Sequence, residues 1–165
     1  MSKEKEFIES RERIEEVLVN GNLGFLGMSA DSTPYTIPIT YGYDNGRILF
    51  HCARFGSKLE FLRANPAVCF TTATQFGPVV RHPQGAVCRA HSDSVVCRGS
   101  ARIIEDEEER CRVLNAFNRC ILADAREIRV DEVANCYAVE ITLSEMTARV
   151  ERDSRCTHYR YAFER

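Results

Sequence analysis

Residues 34–66, PYTIPITYGYDNGRILFHCARFGSKLEFLRANP, carry the reading that decides the fold. Tyr41-Gly42-Tyr43 leads into Asp44-Asn45-Gly46, and the apolar run Ile48-Leu49-Phe50 follows. Asn-Gly supplies the positive φ angles that tight hairpin turns demand, so the stretch reads as strand, turn, strand. The second strand ends near His51, and Gly56-Ser57-Lys58 then opens a short helical pattern. At a helix start, free N–H groups attract an anion, a glycine permits close approach and a lysine offsets charge, a combination that fits a phosphate monoester. The same residues also read as a plain N-cap, because a serine oxygen satisfies orphan N–H groups wherever a helix begins. Ser57-Lys58 lacks the flanking glycines of a nucleotide P-loop. The run Gly21 to Gly27 has the wrong spacing for a dinucleotide fingerprint and follows a helix rather than a strand.

Working outward, a helix is expected over about 3–20, with Phe7, Ile14 and Leu18 on one face and Asn20-Gly21 as its stop. Strands are expected at Leu23–Ala30, Tyr35–Tyr43, Arg47–Cys52 and Ala67–Ala73, with a helix at Ser57–Ala64. Pro38 cannot donate to a sheet ladder, so it marks an edge or a place where a ligand takes over backbone contacts. From Thr74 to His91 the pattern dissolves into loop punctuation: Gly77-Pro78, His82-Pro83 and Gln84-Gly85. A fifth strand, Asp93–Ile104, contains Gly99 as a candidate bulge. Asp106 and Glu109 form a capping pattern for a helix bearing Val113, Leu114 and Phe117. The sixth strand is Tyr137–Leu143; a further extended piece is expected near 147–151, before a polar tail from about 152. Strands and helices do not alternate regularly, which disfavours a doubly wound sheet. The expectation is a mainly β, six-stranded antiparallel split β-barrel of Greek-key type, with helices at its rim and all 165 residues in one domain.

Composition bounds the function. With 44% hydrophobic and 28% charged residues and a net charge of −2, a dedicated nucleic-acid binder is disfavoured. No apolar run approaches the ~20 residues that span a bilayer, and the charged N-terminus has no leader-like apolar core, so a cytoplasmic location is expected. The eight cysteines include no Cys-x-x-Cys pair, so they are expected to be free thiols and largely core packing. Cys88 and His91 alone do not make a metal site, and no metal is expected.

The order of these motifs resembles the pyridoxamine 5′-phosphate oxidase-like split-barrel flavoproteins, nearest their nitroimidazole-resistance branch. The matching pieces are TIPITYGY, ILFHCARFGSKLEFLRANPAVCF, SVVCRGSARIIEDEEER and YAVEITLSEMTARV, which span Gly24 to about Val150. The resemblance implies FMN bound between the subunits of a homodimer; strand five, with few charges on one face, and the 74–91 loop are expected in the interface, since a half-barrel site alone would leave the flavin exposed. It implies that Pro38, Ile39 and Thr40 line the polar edge of the flavin ring. His51 and Cys52 would lie by the ring or ribityl chain, and Ala53, Arg54, Gly56, Ser57 and Lys58 at the phosphate. Ser94 and Val95 would reach over from the partner subunit. From the residues alone, His51 reads equally as a hydrogen-bonded strand-end histidine and Lys58 as a solvated helix residue. Two departures bear on the substrate. The position two before Ser94, aromatic in relatives, is Ser92, and the chain has no tryptophan and lacks the C-terminal motif with which true pyridoxamine-phosphate oxidases grip their substrate.

The function implied is an FMN-dependent reductase of small aromatic or nitro-type compounds, with NAD(P)H docking transiently as donor. His51 is the residue expected to supply a proton, since histidine changes charge near neutral pH. The alternatives are pyridoxamine 5′-phosphate oxidase-type activity, a non-catalytic flavin-binding module and a dimeric scaffold without cofactor.

Overall fold

The computed structural model describes residues 6–81, 88–152 and 155–164, with the backbone path alone for 76–81 and 88–90. In chain order the elements are β1 (Phe7–Glu9), α1 (Arg11–Val19), β2 (Leu23–Ala30), β3 (Thr33–Thr40), β4 (Gly42–Asp44), β5 (Arg47–Ala53) and α2 (Ser57–Ala64). After these come β6 (Ala67–Arg81), β7 (Cys88–Ile104), α3 (Glu107–Ile121), a 3-10 turn (Val130–Glu132), β8 (Cys136–Arg152) and β9 (Arg155–Ala162).

These strands form one sheet in the order β1-β9-β8-β7-β6-β2-β3, with β5 also paired to β8 and β4 to β5. The strand that organises it is β8, 17 residues long. Along one edge it pairs with β7 throughout. Along the other it pairs with β5 from Cys136 to Thr142 and then with β9 from Glu145 to Arg152. The change of partner falls at Leu143 and Ser144, where the Leu143 amide bonds to Gly46 of the β4–β5 turn and Ser144 accepts from the Phe163 amide just beyond β9, both at 3.0 Å. The register against β7 slips at the same place, so that Arg98 faces Glu145 and Gly99 faces Leu143. Ser144 is therefore the extra residue of a bulge, and the sheet bends and splits there. Gly99 permits this approach: a Cβ at that position would lie 2.3 Å from the Thr142 carbonyl oxygen.

The core lies inside this curved sheet. Leu26, Ile48, Phe50, Phe70, Val95, Val139 and Ile141 meet there, closed by Ile14 and Leu18 of α1 and Leu59 and Leu62 of α2. A second cluster forms on the opposite face of β5 and β8, where α3 lays Val113, Leu114 and Phe117 over Leu49 and Ala138. Burial on both faces explains why Ile48-Leu49-Phe50 is continuously apolar rather than alternating.

Several expected boundaries move. The first helix begins at Arg11, capped by Ser10, whose Oγ accepts from the Arg13 amide at 3.3 Å; Phe7–Glu9 is a strand parallel to β9. The expected strand over 35–43 is two strands. Tyr41 is buried with its hydroxyl donating to the Leu18 carbonyl at 2.7 Å, and beyond it the chain leaves β2 and joins β5. The expected 74–91 loop is mostly sheet, because β6 and β7 extend as a long hairpin to Arg81 and Cys88; residues 82–87, His82 among them, lie outside the described residues. The expected polar tail is β9, paired with β8, with Tyr161 and Phe163 beneath the Arg11 guanidinium. The Asn45-Gly46 turn forms as expected, with φ of 43° and 84°. Asp106 caps α3 by accepting from the Glu109 amide at 2.8 Å. Cys52, Cys69, Cys97, Cys111, Cys120, Cys136 and Cys156 are free thiols.

Gly99→Ala forces its methyl group onto backbone that cannot move aside. A loss of about 3 kcal/mol, or roughly 6–12 °C in Tm, is expected, with Ser100→Ala at the neighbouring exposed position close to neutral. Thermal denaturation followed by circular dichroism checks it.

Candidate functional site

The β4–β5 ladder ends at Gly42 opposite Leu49, and beyond it β3 stays with β2 while β5 stays with β8. Continuing the same register would set Thr40 against His51 and Pro38 against Ala53, but those strands have diverged. This split leaves β3 at a sheet edge, as the proline at 38 requires. Side-chain alternation sorts the residues that border the split. Ile39 and Cys52 point into the core, while Pro38, Thr40, His51 and Ala53 are exposed on the other face. The His51 ring meets Phe117 of α3 edge-on, with centroids 5.4 Å apart.

The chain then turns through Arg54, Phe55 and Gly56 into α2. Gly56 is the N-cap, with φ 111°, and contributes no side-chain cap. Ser57 is thus the first helical residue rather than a capping one, which removes the plain N-cap reading of its hydroxyl. The Leu59 amide bonds to the Gly56 carbonyl at 3.0 Å. A Cβ at Gly56 would meet nothing within 4 Å, so the glycine answers to backbone conformation and the space beside it is open. Burial pushes the Cys52 thiol up, and the Lys58 ammonium partly offsets this, so the lysine charge lies near the end of β5.

Charge pairing is incomplete at this corner. Most arginines of the described surface sit against a carboxylate, as in Arg11–Glu15, Arg47–Glu140, Arg102–Glu109, Arg126–Glu132 and Arg152–Asp93. Among the described residues Arg54 and Lys58 have no carboxylate at ion-pair distance. Arg54 instead donates to the Ala134 carbonyl (3.0 Å) and the Tyr137 hydroxyl (3.4 Å), with its guanidinium 5.0 Å from the centre of the Tyr137 ring. Two unpaired cations beside an open, uncapped helix start form a donor set suited to a phosphate.

Burial limits what three of the expected site residues can offer. Val95 is fully buried in the core, so on β7 the outward residues are Ser94 and Val96. Ile39 and Cys52 likewise leave only backbone groups for a ligand. Sequence reading missed Phe117, which touches His51, and Tyr137, which holds Arg54. It also missed an outward row crossing four strands in register: Pro38, Phe25, Thr71 and Val96. Phe25 and Val96 are 48% and 41% exposed. The signal for that row was present in β2, where Leu23 and Phe25 alternate with Gly24 and Leu26, leaving large apolar groups on both faces.

A split barrel with an open helix start at the end of its central hairpin defines the class of fold. The family described as pyridoxamine 5′-phosphate oxidase matches over residues 10–150, and the chain belongs to it. A candidate 5-nitroimidazole antibiotic resistance protein of Bacteroides thetaiotaomicron is similar in structure, with a TM-score of 0.72 and 29% identity over 86% of this chain and 84% of that one. The FAD and heme binding protein of Mycobacterium smegmatis shares the fold, with a TM-score of 0.75 and 18% identity over 88% and 73% of the two chains. An uncharacterized protein of Rhizobium meliloti, RA0666, is 36% identical over 64 residues, which span 39% of this chain and 42% of that relative. Among the described residues no helix is long and apolar enough to cross a membrane, and no cluster of three or more His, Cys, Asp or Glu is placed to hold a metal ion.

Proposed function

We propose that this protein binds FMN in the split between β3 and β5 and acts as an oxidoreductase on small aromatic or nitro-type compounds, with NAD(P)H as the electron donor. The observation that carries the reading is the exposure of Pro38, Thr40, His51 and Ala53 along the two strands that border the split, the second of which leads into Gly56 and two cations without a carboxylate partner. The FAD and heme binding relative supports a flavin at this fold, and the nitroimidazole-resistance relative supports the substrate class.

The residues fit such a group part by part. The free edge of β3 offers peptide groups to the polar edge of a planar ring, and Pro38 keeps that edge from pairing with another strand. Phe117 supports His51, which is the proton-carrying side chain at the mouth of the split. Ser57, the α2 amides, Arg54 and Lys58 would hold the phosphate. Bound flavin supplies hydride or single-electron transfer, and the protein supplies binding, orientation and exclusion of water. In one subunit His51, Ala53 and Ser57 remain exposed, and a flat ring buries best between two surfaces. A homodimer in which the Phe25–Thr71–Val96 row and Ser94 of one subunit cover the split of the other completes the site.

The purified protein should be yellow and release FMN on denaturation. Anaerobic NADH or NADPH should bleach it, and a nitroaromatic acceptor should restore the colour with turnover. A colourless protein that takes up no added flavin contradicts the reading.

Lys58→Ala should weaken FMN by about one to two decades, the worth of a charge-assisted phosphate contact, while riboflavin loses little. Titration of both flavins into apoprotein checks this; equal FMN affinity in parent and variant removes the phosphate assignment.

Val96→Arg, a change at an exposed position that spares the core, should convert a dimer into a folded monomer that loses its flavin. Sedimentation velocity reads the result, and a parent protein that is monomeric at micromolar concentration with flavin bound rules the dimer out.

A further inference from the structure

Arg110 is the largest fully buried side chain, with 1% of its surface exposed. Its Nε donates to the Ile104 carbonyl (3.2 Å), one Nη to the Val133 carbonyl (3.1 Å) and the other to the Glu105 carbonyl. No carboxylate is among these partners. A buried cation held only by neutral groups is costly unless its donors are satisfied and its charge meets electron-rich partners. Here three carbonyl dipoles do the first, and the Tyr137 ring, 5.1 Å from the guanidinium carbon, does the second.

The same ring carries Arg54, its guanidinium carbon 5.0 Å from the centroid, so two arginines from different parts of the chain share one tyrosine. One is buried beneath α3, and the other is exposed at the approach to α2. Tyr137 itself is 9% exposed and packs in the main core from β8, opposite Cys52 of β5. Its ring is therefore a fixed platform, whereas an exposed arginine samples many rotamers when unrestrained. Arg54 has no carboxylate at ion-pair distance; Glu105 and Glu107 act on it only from farther away.

We infer that Arg110 and Tyr137 are positioning residues: through the shared ring they hold Arg54 as the second cation, beside Lys58, for a doubly charged phosphate. The inference rests on the flavin-phosphate reading above and adds to it the reason that Arg54 is ordered before the anion arrives. Stacking, with a donor fork tied to Ala134, makes the geometry specific to arginine. A lysine there keeps the charge but has neither the planar face nor the fork.

The test uses the full-length dimer stripped of flavin, with FMN and riboflavin titrated separately into the parent and into Arg54→Lys, Arg54→Ala, Tyr137→Leu, Tyr137→Phe and the Arg54→Ala/Tyr137→Leu double variant. The readout is the ratio of the two affinities, which a general loss of packing would not change. Arg54→Lys and Tyr137→Leu should each lower the preference for FMN by about fivefold. Tyr137→Phe, which keeps the ring, should retain it, and the double variant should lose no more than Arg54→Ala alone. Arg54 is exposed, so Arg54→Lys reports even if Tyr137→Leu does not fold. A preference for FMN that survives both Arg54→Lys and Tyr137→Leu but falls in Lys58→Ala overturns the positioning role and leaves the phosphate site intact. Strict additivity of Arg54→Ala and Tyr137→Leu overturns it as well. A parent with no preference for FMN over riboflavin overturns the phosphate site and this inference together.

Discussion

The architecture depends on one exchange of partners. β8 hands its edge from β5 to β9 across Leu143 and Ser144, and the bulge there is possible because Gly99 on the facing strand has no side chain. The handover frees an edge of β8 for β9, while the split between β3 and β5 opens at the other end of β5, where β5 stays with β8 and β3 stays with β2. The handover is enforced from both directions: the Gly46 carbonyl takes the Leu143 amide, and the Phe163 amide reaches Ser144. The Phe163 ring covers Gly46, its Cε1 2.7 Å from where a Cβ on that glycine would stand, so the β4–β5 turn and the end of β9 abut on β8. A conformational requirement at a two-residue turn is thereby coupled to the path of the C-terminal strand.

The second organising feature is the uneven distribution of paired charge. Arg–carboxylate pairs line the described surface, and even the largely buried Glu140 is held by Arg47 and Arg102. Exposed pairs of this kind contribute little stability individually, yet they leave few uncommitted cations. Arg54 and Lys58 have no carboxylate at ion-pair distance, and they flank α2, whose glycine N-cap has no side chain to offer. At the starts of α1 and α3, Ser10 and Asp106 supply that oxygen internally. The α2 start differs in the direction that leaves its first amides to something else, as an anion site requires.

In the proposed flavin site the labour is divided among residues. β3 and β5 contribute edges and outward side chains, α2 contributes amides and charge, and α3 contributes Phe117 behind His51. The buried pair Arg110 and Tyr137 ties the α3 side of the molecule to the phosphate corner. A buried cation of α3 and an exposed one at the approach to α2 are therefore parts of one cation–π arrangement.

Much of this was legible in the sequence, because the signals were local. Asn45-Gly46 needs positive φ wherever it occurs, Asp106 and Glu109 cap a helix by spacing alone, and Gly56-Ser57-Lys58 opens α2 at the residue where the pattern changes period. Pro38 declared an edge because proline lacks an N–H. Other features were closed to sequence reading because they arise from contacts between distant segments. The terminal residues 155–162 are polar and aromatic with no strong alternation, and they form a strand because β8 offers an edge after its handover. The 74–91 segment reads as a loop by its glycines and prolines, yet pairing between β6 and β7 carries it as sheet to Arg81 and Cys88. Val95 and Val96 are indistinguishable by composition, and only the register against β6 and β8 sends one into the core and the other onto the face beside Phe25. Local chemistry determined where the chain turns, caps and presents charge. Tertiary structure decided which edge each strand finds and which face each side chain takes, because pairing register depends on strands far apart along the chain.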